Sequence, residues 1–244
     1  MRIDWSPLDA ALERRAPVLW WRDDDVTEPT PALDRLIALT SKIGAPLTLA
    51  AIPARVSPAL AERIAGDKSV SVAVHGWAHA NHAPASEKKA EFRAHRPLPH
   101  RRAEVERGLA TIIDLFGAQA LPVFIPPWNR IAPDMPETLA QGGYRALSVY
   151  GEREPVAGPL PRLDAHIDPI EWRGSRSAVD PVELIAHLCA LMENDAPIGL
   201  MTHHLVHDEA VWELIERVAK RITAQGGRWV SLGSLIEATD PDPQ

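Results

Sequence analysis

His75 and His79 stand four residues apart, just beyond an apolar run, Val70 to Val74, interleaved with serine. On a helical turn this spacing points both imidazoles the same way. Neutral imidazole is a common ligand of divalent transition metals, so the pair supplies two ligands without further folding. His82 lies three residues on, on roughly the same face. A solvated or core placement competes with this reading, because a lone His-x-x-x-His is a weak signal. Three aspartates, Asp23, Asp24 and Asp25, close another apolar run. Taken alone such a triplet reads as a turn or helix cap. Taken with the histidines, one carboxylate completes three protein ligands and leaves a position open for water, the pattern of a catalytic zinc site. An ion held this way lowers the pKa of water from 15.7 to about 7 and polarises a carbonyl oxygen. A second carboxylate then takes the proton from water, and a histidine from the opposite side protonates the leaving group. Adjacent residues on an extended chain point in different directions, so Asp23 and Asp24 can divide the metal and the water between them.

The elements that must position these groups alternate between strand and helix. Strands are expected at Pro17 to Arg22, Pro46 to Ile52, Val70 to Val74, Pro122 to Ile125, Arg145 to Tyr150, Leu163 to Asp168, Ile198 to His203 and, as a last short one, Arg228 to Leu232. Helices are expected from Asp9 to Arg15, from the Thr30-Pro31 cap to Gly44, from Ser57-Pro58 to Gly66, and over Arg102 to Phe116, Asp134 to Gln141, Pro181 to Leu191 and Glu209 to Ala224. The basic stretch from Ala83 to His100 reads as a solvated loop and helix start, and Glu152 to Pro161 as a loop rich in proline and glycine. Such alternation implies parallel strands with helical crossovers. No Gly-rich phosphate turn follows the first strand. The expected fold is therefore an α/β distorted or incomplete (β/α) barrel of about seven parallel strands, formed by residues 1–244 as one domain. In a parallel barrel the chemistry lies at the carboxyl ends of the strands. Asp23 to Asp25, His75, Trp128-Asn129, Asp168 and His203-His204 each follow an expected strand, so they converge on one mouth.

Composition narrows the classes. The chain has 244 residues, 45% hydrophobic, with a net charge of -7. That core is sizeable, and the charge disfavours a nucleic-acid or anionic-membrane partner. The single cysteine, Cys189, sits among apolar residues and is expected to be buried and inert, which excludes a disulfide framework within one chain. No export signal is visible in Met1 to Pro7 and no run approaches a membrane span, so a cytoplasmic protein is expected.

In their order the motifs resemble the polysaccharide deacetylases of carbohydrate esterase family four, distorted (β/α) barrels that deacetylate N- or O-acetylated sugars with a divalent metal. Trp21-Arg22-Asp23-Asp24-Asp25 stands where that family has Thr-Phe-Asp-Asp-Gly, which implies Asp23 as base and Asp24 as metal ligand. His75-Gly76-Trp77-Ala78-His79 matches the second motif and implies two further ligands. Phe124-Ile125-Pro126-Pro127-Trp128 corresponds to Arg-x-Pro-Tyr-Gly. Asp168-Pro169-Ile170-Glu171-Trp172 corresponds to Asp-x-x-Asp-Trp, with Glu171 and Asp168 as expected partners of the acid. Met201-Thr202-His203 corresponds to Leu-x-His and implies His203 as general acid. The motifs span Trp21 to His203. The departures are specific. The third-motif arginine is Phe124, leaving Arg22, Arg130 or Arg162 to replace it. The oxyanion donor falls on Pro127, which has no N–H, leaving the backbone of Trp128 or the side chain of Asn129. Asp25 replaces glycine and competes as a ligand, and His204 rivals His203.

The resemblance implies one divalent transition metal, zinc first among iron, cobalt, nickel and zinc. The expected pocket comprises Trp21, Trp77, Pro126, Trp128, Asn129, Trp172 and His204, the tryptophans offering flat faces to sugar rings or else packing the core. The expected activity is removal of an acyl group, acetyl first, from an acylated sugar. The alternatives are hydrolysis of a small non-sugar amide, or binding of carbohydrate or metabolite without catalysis. A homo-oligomer is compatible with the sequence.

Overall fold

The computed structural model describes residues 3–151 and 158–239. Most of the expected loop from Glu152 to Pro161, residues 152–157, lies outside the described residues. In chain order the elements are α1 (Ser6–Arg14), β1 (Val18–Val26), α2 (Pro31–Ile43), β2 (Leu47–Ala51), α3 (Pro58–Ile64), β3 (Val70–His75), α4 (Leu98–Phe116), β4 (Ala120–Ile125), α5 (Met135–Gln141), β5 (Ala146–Leu147), β6 (Ala165–Ile167), α6 (Pro181–Leu191), β7 (Ile198–Thr202), α7 (Glu209–Ala224), β8 (Arg228–Trp229) and α8 (Leu232–Thr239).

The strands form one parallel sheet in the order β5-β4-β3-β2-β1-β7-β6, with β8 added beside β1. The sheet curls, and across the seam, among the described residues, isolated parallel bridges, Leu147 with Arg162 and Tyr150 with Ala165, join its ends. This is the incomplete barrel that the alternation of elements implies. β1 sits at the centre between β2 and β7, so its carboxyl end lies in the middle of the mouth.

The period of two along each strand separates two cores. Outward side chains such as Leu19, Trp21, Leu47, Leu49, Val72 and Val74 join the large layer beneath the helices. Inward side chains are mostly small, Ala50, Ala73, Ala146 and Ala165, and they leave room for Trp20 and for the buried Arg22. Gly199 belongs to this economy of space, since a Cβ there would lie 2.5 Å from the Trp20 ring. Leu232 and Ile236 of α8 pack on the same inner cluster beside Leu121, near the start of β4, and so plug the end opposite the mouth.

Helix starts follow local chemistry. The Thr30 hydroxyl accepts from the Leu33 N–H at 3.0 Å, with Pro31 in the first turn and left-handed Gly44 at the end. Asp180 and Asp208 cap α6 and α7 in the same way, accepting from the N–H of Val182 and Val211. Two boundaries depart from expectation. α4 begins at Leu98 rather than Arg102, because Arg101 is buried in a two-pronged ion pair with Asp134 at 2.7 Å. β5 is only Ala146–Leu147, because Ser148 gives its side chain to Arg22 and Leu163, and the Val149 N–H donates to the Asp164 carboxylate. Cys189 is partly exposed, with its sulfur 3.6 Å from the Pro7 carbonyl oxygen, rather than fully buried.

Candidate metal centre

Period two sends Trp20, Arg22 and Asp24 inward and Trp21 and Asp23 outward. Asp25 should follow Asp23, and it does not. Between Asp23 and Val26 the register with β2 shifts, three steps on β1 facing two on β2, and Asp25 takes a left-handed φ of 72°. This is a bulge, which re-aims a side chain at a barrel rim. It turns Asp25 into the mouth beside Asp24.

There Asp25 meets the histidine pair. Its Oδ1 lies 3.1 Å from His75 Nε2 and 3.2 Å from His79 Nε2, and the three ligand atoms all lie within 4.8 Å of one another. The carboxylate of this cluster is thus Asp25, one residue after the expected Asp24. The pair is also not on a helix: His75 ends β3, and His79 follows in a turn with a left-handed φ of 55°. His75 Nδ1 lies 3.0 Å from the Ile125 carbonyl oxygen, which holds that nitrogen as the donor and leaves Nε2 a lone pair. Asp25 Oδ1 is buried and has no hydrogen-bond donor. Lone pairs aimed at one another repel unless a proton or a metal ion lies between them, and one carboxylate with two imidazoles fits a divalent transition metal. Burial would raise the Asp25 pKa, but the close approach of His75 and the charges of His75, His79 and His203 outweigh it and hold the carboxyl well below the usual range. Burial and the neighbouring His75 lower the pKa of His79, which favours the neutral ligand form.

The turn carrying His79 is built around Glu91. This carboxylate is buried and accepts from the backbone N–H groups of Trp77 at 3.1 Å, Ala78 at 2.8 Å and Ala80 at 3.2 Å. Gly76, at φ 61°, has no room for a Cβ, which would lie 2.3 Å from Glu91 Oε2. Replacing Glu91 with alanine strands three N–H groups. Such outer partners are worth about 10–100-fold in metal affinity, and zinc competition against a chromophoric chelator is expected to show a loss in that range. Unchanged zinc affinity in E91A would disprove the bracing role. No local sequence pattern marks Glu91, which lies 14 residues beyond Trp77.

Asp24 also faces the cleft, with its Oδ1 3.2 Å from Nε of the fully buried Arg22. Arg22 further donates to the Ser148 hydroxyl at 2.7 Å, the Ser148 carbonyl at 3.2 Å and the Asn129 side-chain oxygen at 2.7 Å. Of the three arginines that could stand beside the inward aspartate, Arg22 does so. Arg162 pairs with Asp164, and Arg130 lies at the mouth. Asp23 lies in the outer layer. It accepts from the Thr202 hydroxyl at 2.6 Å, from the His204 N–H at 2.9 Å and from His204 Nδ1 at 2.5 Å. Burial opposes its ionisation, but the His204 charge and these bonds prevail and lower its pKa. Strand alternation therefore gives His203 to the cleft and His204 to Asp23, and neither Asp23 nor His204 reaches the cleft.

The cleft measures about 640 Å³ and is lined by Asp24, Asp25, His75, His79, Trp128, Asn129, Arg130, Tyr150, Asp168, Trp172, Arg173, Arg176, Met201 and His203. That volume suits a small molecule. His203 stands edge-on to Trp172 with ring centroids 4.9 Å apart, and Trp172 Nε1 donates to Asp168 at 2.7 Å. Burial raises the Asp168 pKa, partly offset by the nearby His203 charge and the Trp172 hydrogen bond. Glu171 is elsewhere: it is exposed and folds back to accept from the Ser175 N–H and hydroxyl. Of the expected pocket residues, Trp128, Asn129 and Trp172 line the cleft. Trp21 is core, donating to Thr202 and packing on Trp229. Trp77 lies under Arg107, and Pro126 is buried behind the wall.

Compared as a fold, the chain aligns over 94% of its length with 95% of a Mycobacterium smegmatis protein described only provisionally as a polysaccharide deacetylase, at TM-score 0.71 and 15% identity. The chain has the polysaccharide deacetylase fold. A family 4 acetyl xylan esterase from Clostridium thermocellum, solved with a cobalt ion, aligns at TM-score 0.58 and 15% identity over 91% of each chain. A family 4 carbohydrate esterase from Streptomyces lividans, in complex with acetate, aligns at TM-score 0.59 and 15% identity over 87% of this chain and 91% of that one. No family model matches the sequence, and no curated protein does. Within the deacetylase fold, the Asp25, His75 and His79 cluster lies where the parallel strands deliver side chains to the mouth. No helix among the described residues is long and apolar enough to cross a membrane.

Proposed function

We propose that the chain is a divalent-metal-dependent hydrolase that removes an acyl group, acetyl first, from an N- or O-acylated sugar. The observation that carries this reading is the donor-free Asp25 Oδ1 between His75 Nε2 and His79 Nε2 on the floor of the cleft. These three residues hold the ion, with zinc the first choice. When bound, such an ion supplies Lewis acidity toward the acyl carbonyl and eases ionisation of water.

The chain supplies the remaining chemistry. Asp24, fixed by Arg22, accepts the proton that water gives up as it attacks. His203 protonates the departing nitrogen or oxygen from the other side of the cleft, and its Nδ1 is buried without a partner. Asp168, braced by Trp172, lines the same cleft as His203. Pro127 has no N–H, and the Asn129 amide is engaged at both ends, its oxygen accepting from Arg22 and its nitrogen donating to Met201 Sδ at 3.7 Å, so the Trp128 N–H is the oxyanion donor of this reading. Trp128 and Asn129 both adopt left-handed φ, 56° and 55°, which few such residues do without a local demand. The faces of Trp128, Trp172 and Tyr150 offer apolar surfaces to a sugar ring.

The test is acetate release from N-acetylglucosamine oligomers and acetylated xylan by the full chain reloaded with zinc. One ion per chain is expected, with at least roughly a hundredfold loss of acetate release on chelation, consistent with the scale of lost transition-state stabilisation, and recovery on adding zinc or cobalt. A reloaded chain that binds no stoichiometric ion ends the reading.

A further inference from the structure

The cleft has an acidic floor and a basic rim. Arg130, Arg173 and Arg176 line the rim. Several other arginines of this chain have carboxylate partners: Arg35 with Glu209, Arg63 with Asp34, Arg96 with Glu104, Arg101 with Asp134 and Arg221 with Asp9. Among the described residues, no carboxylate forms an ion pair with Arg130, Arg173 or Arg176, although the chain carries a net charge of -7.

The rim is also built. Residues 171–177 form a tight turn closed by the bridge of Ile170 with Ala178 and by the Arg176 N–H donating to the Glu171 carbonyl at 3.0 Å. The Glu171 carboxylate fills the inside of that turn, so close to Gly174 that a Cβ there would lie 2.1 Å from it. Arg176 is held at a left-handed φ of 56°, a conformation arginine rarely adopts unless its surroundings impose it. From the opposite wall, Arg130 is fixed by a 2.7 Å hydrogen bond from Nη1 to the Lys89 carbonyl. Partial burial and the nearby charges of Arg93 and Arg173 lower the Arg130 pKa, so like charges crowd here without a counterion. Guanidinium groups bind carboxylate and phosphate oxygens through paired N–H donors.

We propose that the substrate carries an anionic oxygen group, carboxylate or phosphate, which Arg130, Arg173 and Arg176 seat while the acyl group lies over the Asp25, His75 and His79 cluster. The choice of an acylated substrate rests on the function proposed above; the anion seat does not. Three sugars that differ only at carbon six separate the ideas: N-acetylglucosamine, its 6-phosphate, and the corresponding 6-carboxylate, N-acetylglucosaminuronic acid. Their binding to the full chain, zinc-loaded and chelator-treated, is measured by calorimetry at fixed ionic strength, with acetate release followed in parallel. At least one anionic sugar is expected to bind ten times or more tighter than the neutral one in both forms, and which one does names the group. In the double variant Arg173→Gln, Arg176→Gln that advantage is expected to fall below threefold. Equal binding of all three sugars, no measurable binding, or an advantage that survives in the double variant overturns the proposal. A charge preference in binding with no acetate released from any sugar would instead sink the hydrolase reading and leave the anion seat standing.

Discussion

Replacing Asp25 with alanine is expected to strip the ion from the cleft, whereas Asp24→Asn keeps the ion and loses turnover. Asp25 supplies one of three ligand atoms, so its loss should weaken zinc binding by more than about 100-fold, beyond what losing an outer partner costs. Asp24 instead carries the proton in the proposed reaction. Asparagine preserves its shape and removes its basicity, and such a loss lowers turnover by about 10²–10⁴. Metal analysis and acetate release on the same two variants separate the roles. If D24N loses the ion and D25A retains it, the division of labour drawn from the bulge is wrong, and the register implied by aligning Trp21-Arg22-Asp23-Asp24-Asp25 with the family motif is restored.

The largest effect on stability is expected from Arg22→Met. Arg22 is fully buried and neutralises Asp24 while holding Ser148 and Asn129. Methionine fills much of the space but leaves Asp24 buried and uncompensated. Breaking a buried pair from one side costs about 3–5 kcal/mol. In a chain of this size each 1 kcal/mol moves the melting temperature by about 2–4 °C, so thermal unfolding is expected about 6–20 °C lower. Arg22→Lys restores the charge without the planar fork and should recover part of the loss. A melting temperature for R22M within about 2 °C of the parent, on the same scale, would show that Asp24 does not depend on this arginine. The double variant Arg22→Met with Asp24→Asn tests the same point independently, because removing both charges should cost less than removing the arginine alone.

The placing of reactive groups at one mouth was legible without coordinates. Strand and helix alternate, parallel strands share a direction, and the groups that follow the strands must gather. The histidine pair, the Asp24 side chain, Asp168, His203, Trp128, Asn129 and Trp172 all fall in the cleft as that logic requires. The helix cap at Thr30 was equally local, since it needs only its own next turn.

What sequence logic misplaced were residues whose direction depends on a partner strand or a distant loop. Asp24 was the expected ligand and Asp25 its competitor, and the bulge against β2 is what turns Asp25 to the histidines. Trp21 and Trp77 sit inside matched motifs, yet they face the core and Arg107, because tryptophan faces are as useful in packing as in binding. Glu171 stands in a motif position and serves its own turn instead.

The amino-acid sequence by itself determined a parallel α/β barrel, the end of it at which chemistry would gather, and a supply of imidazoles and carboxylates suited to one cation. Only the tertiary structure decided which carboxylate joins His75 and His79, that Arg22 steadies Asp24, that Glu91 holds the histidine turn, and that Arg130, Arg173 and Arg176 face the same cleft. The reason is range. Hydrophobic period and capping act over a few residues, whereas a ligand set is closed by pairing between segments 50 or more residues apart, where a single-residue shift in register reverses the face a side chain presents.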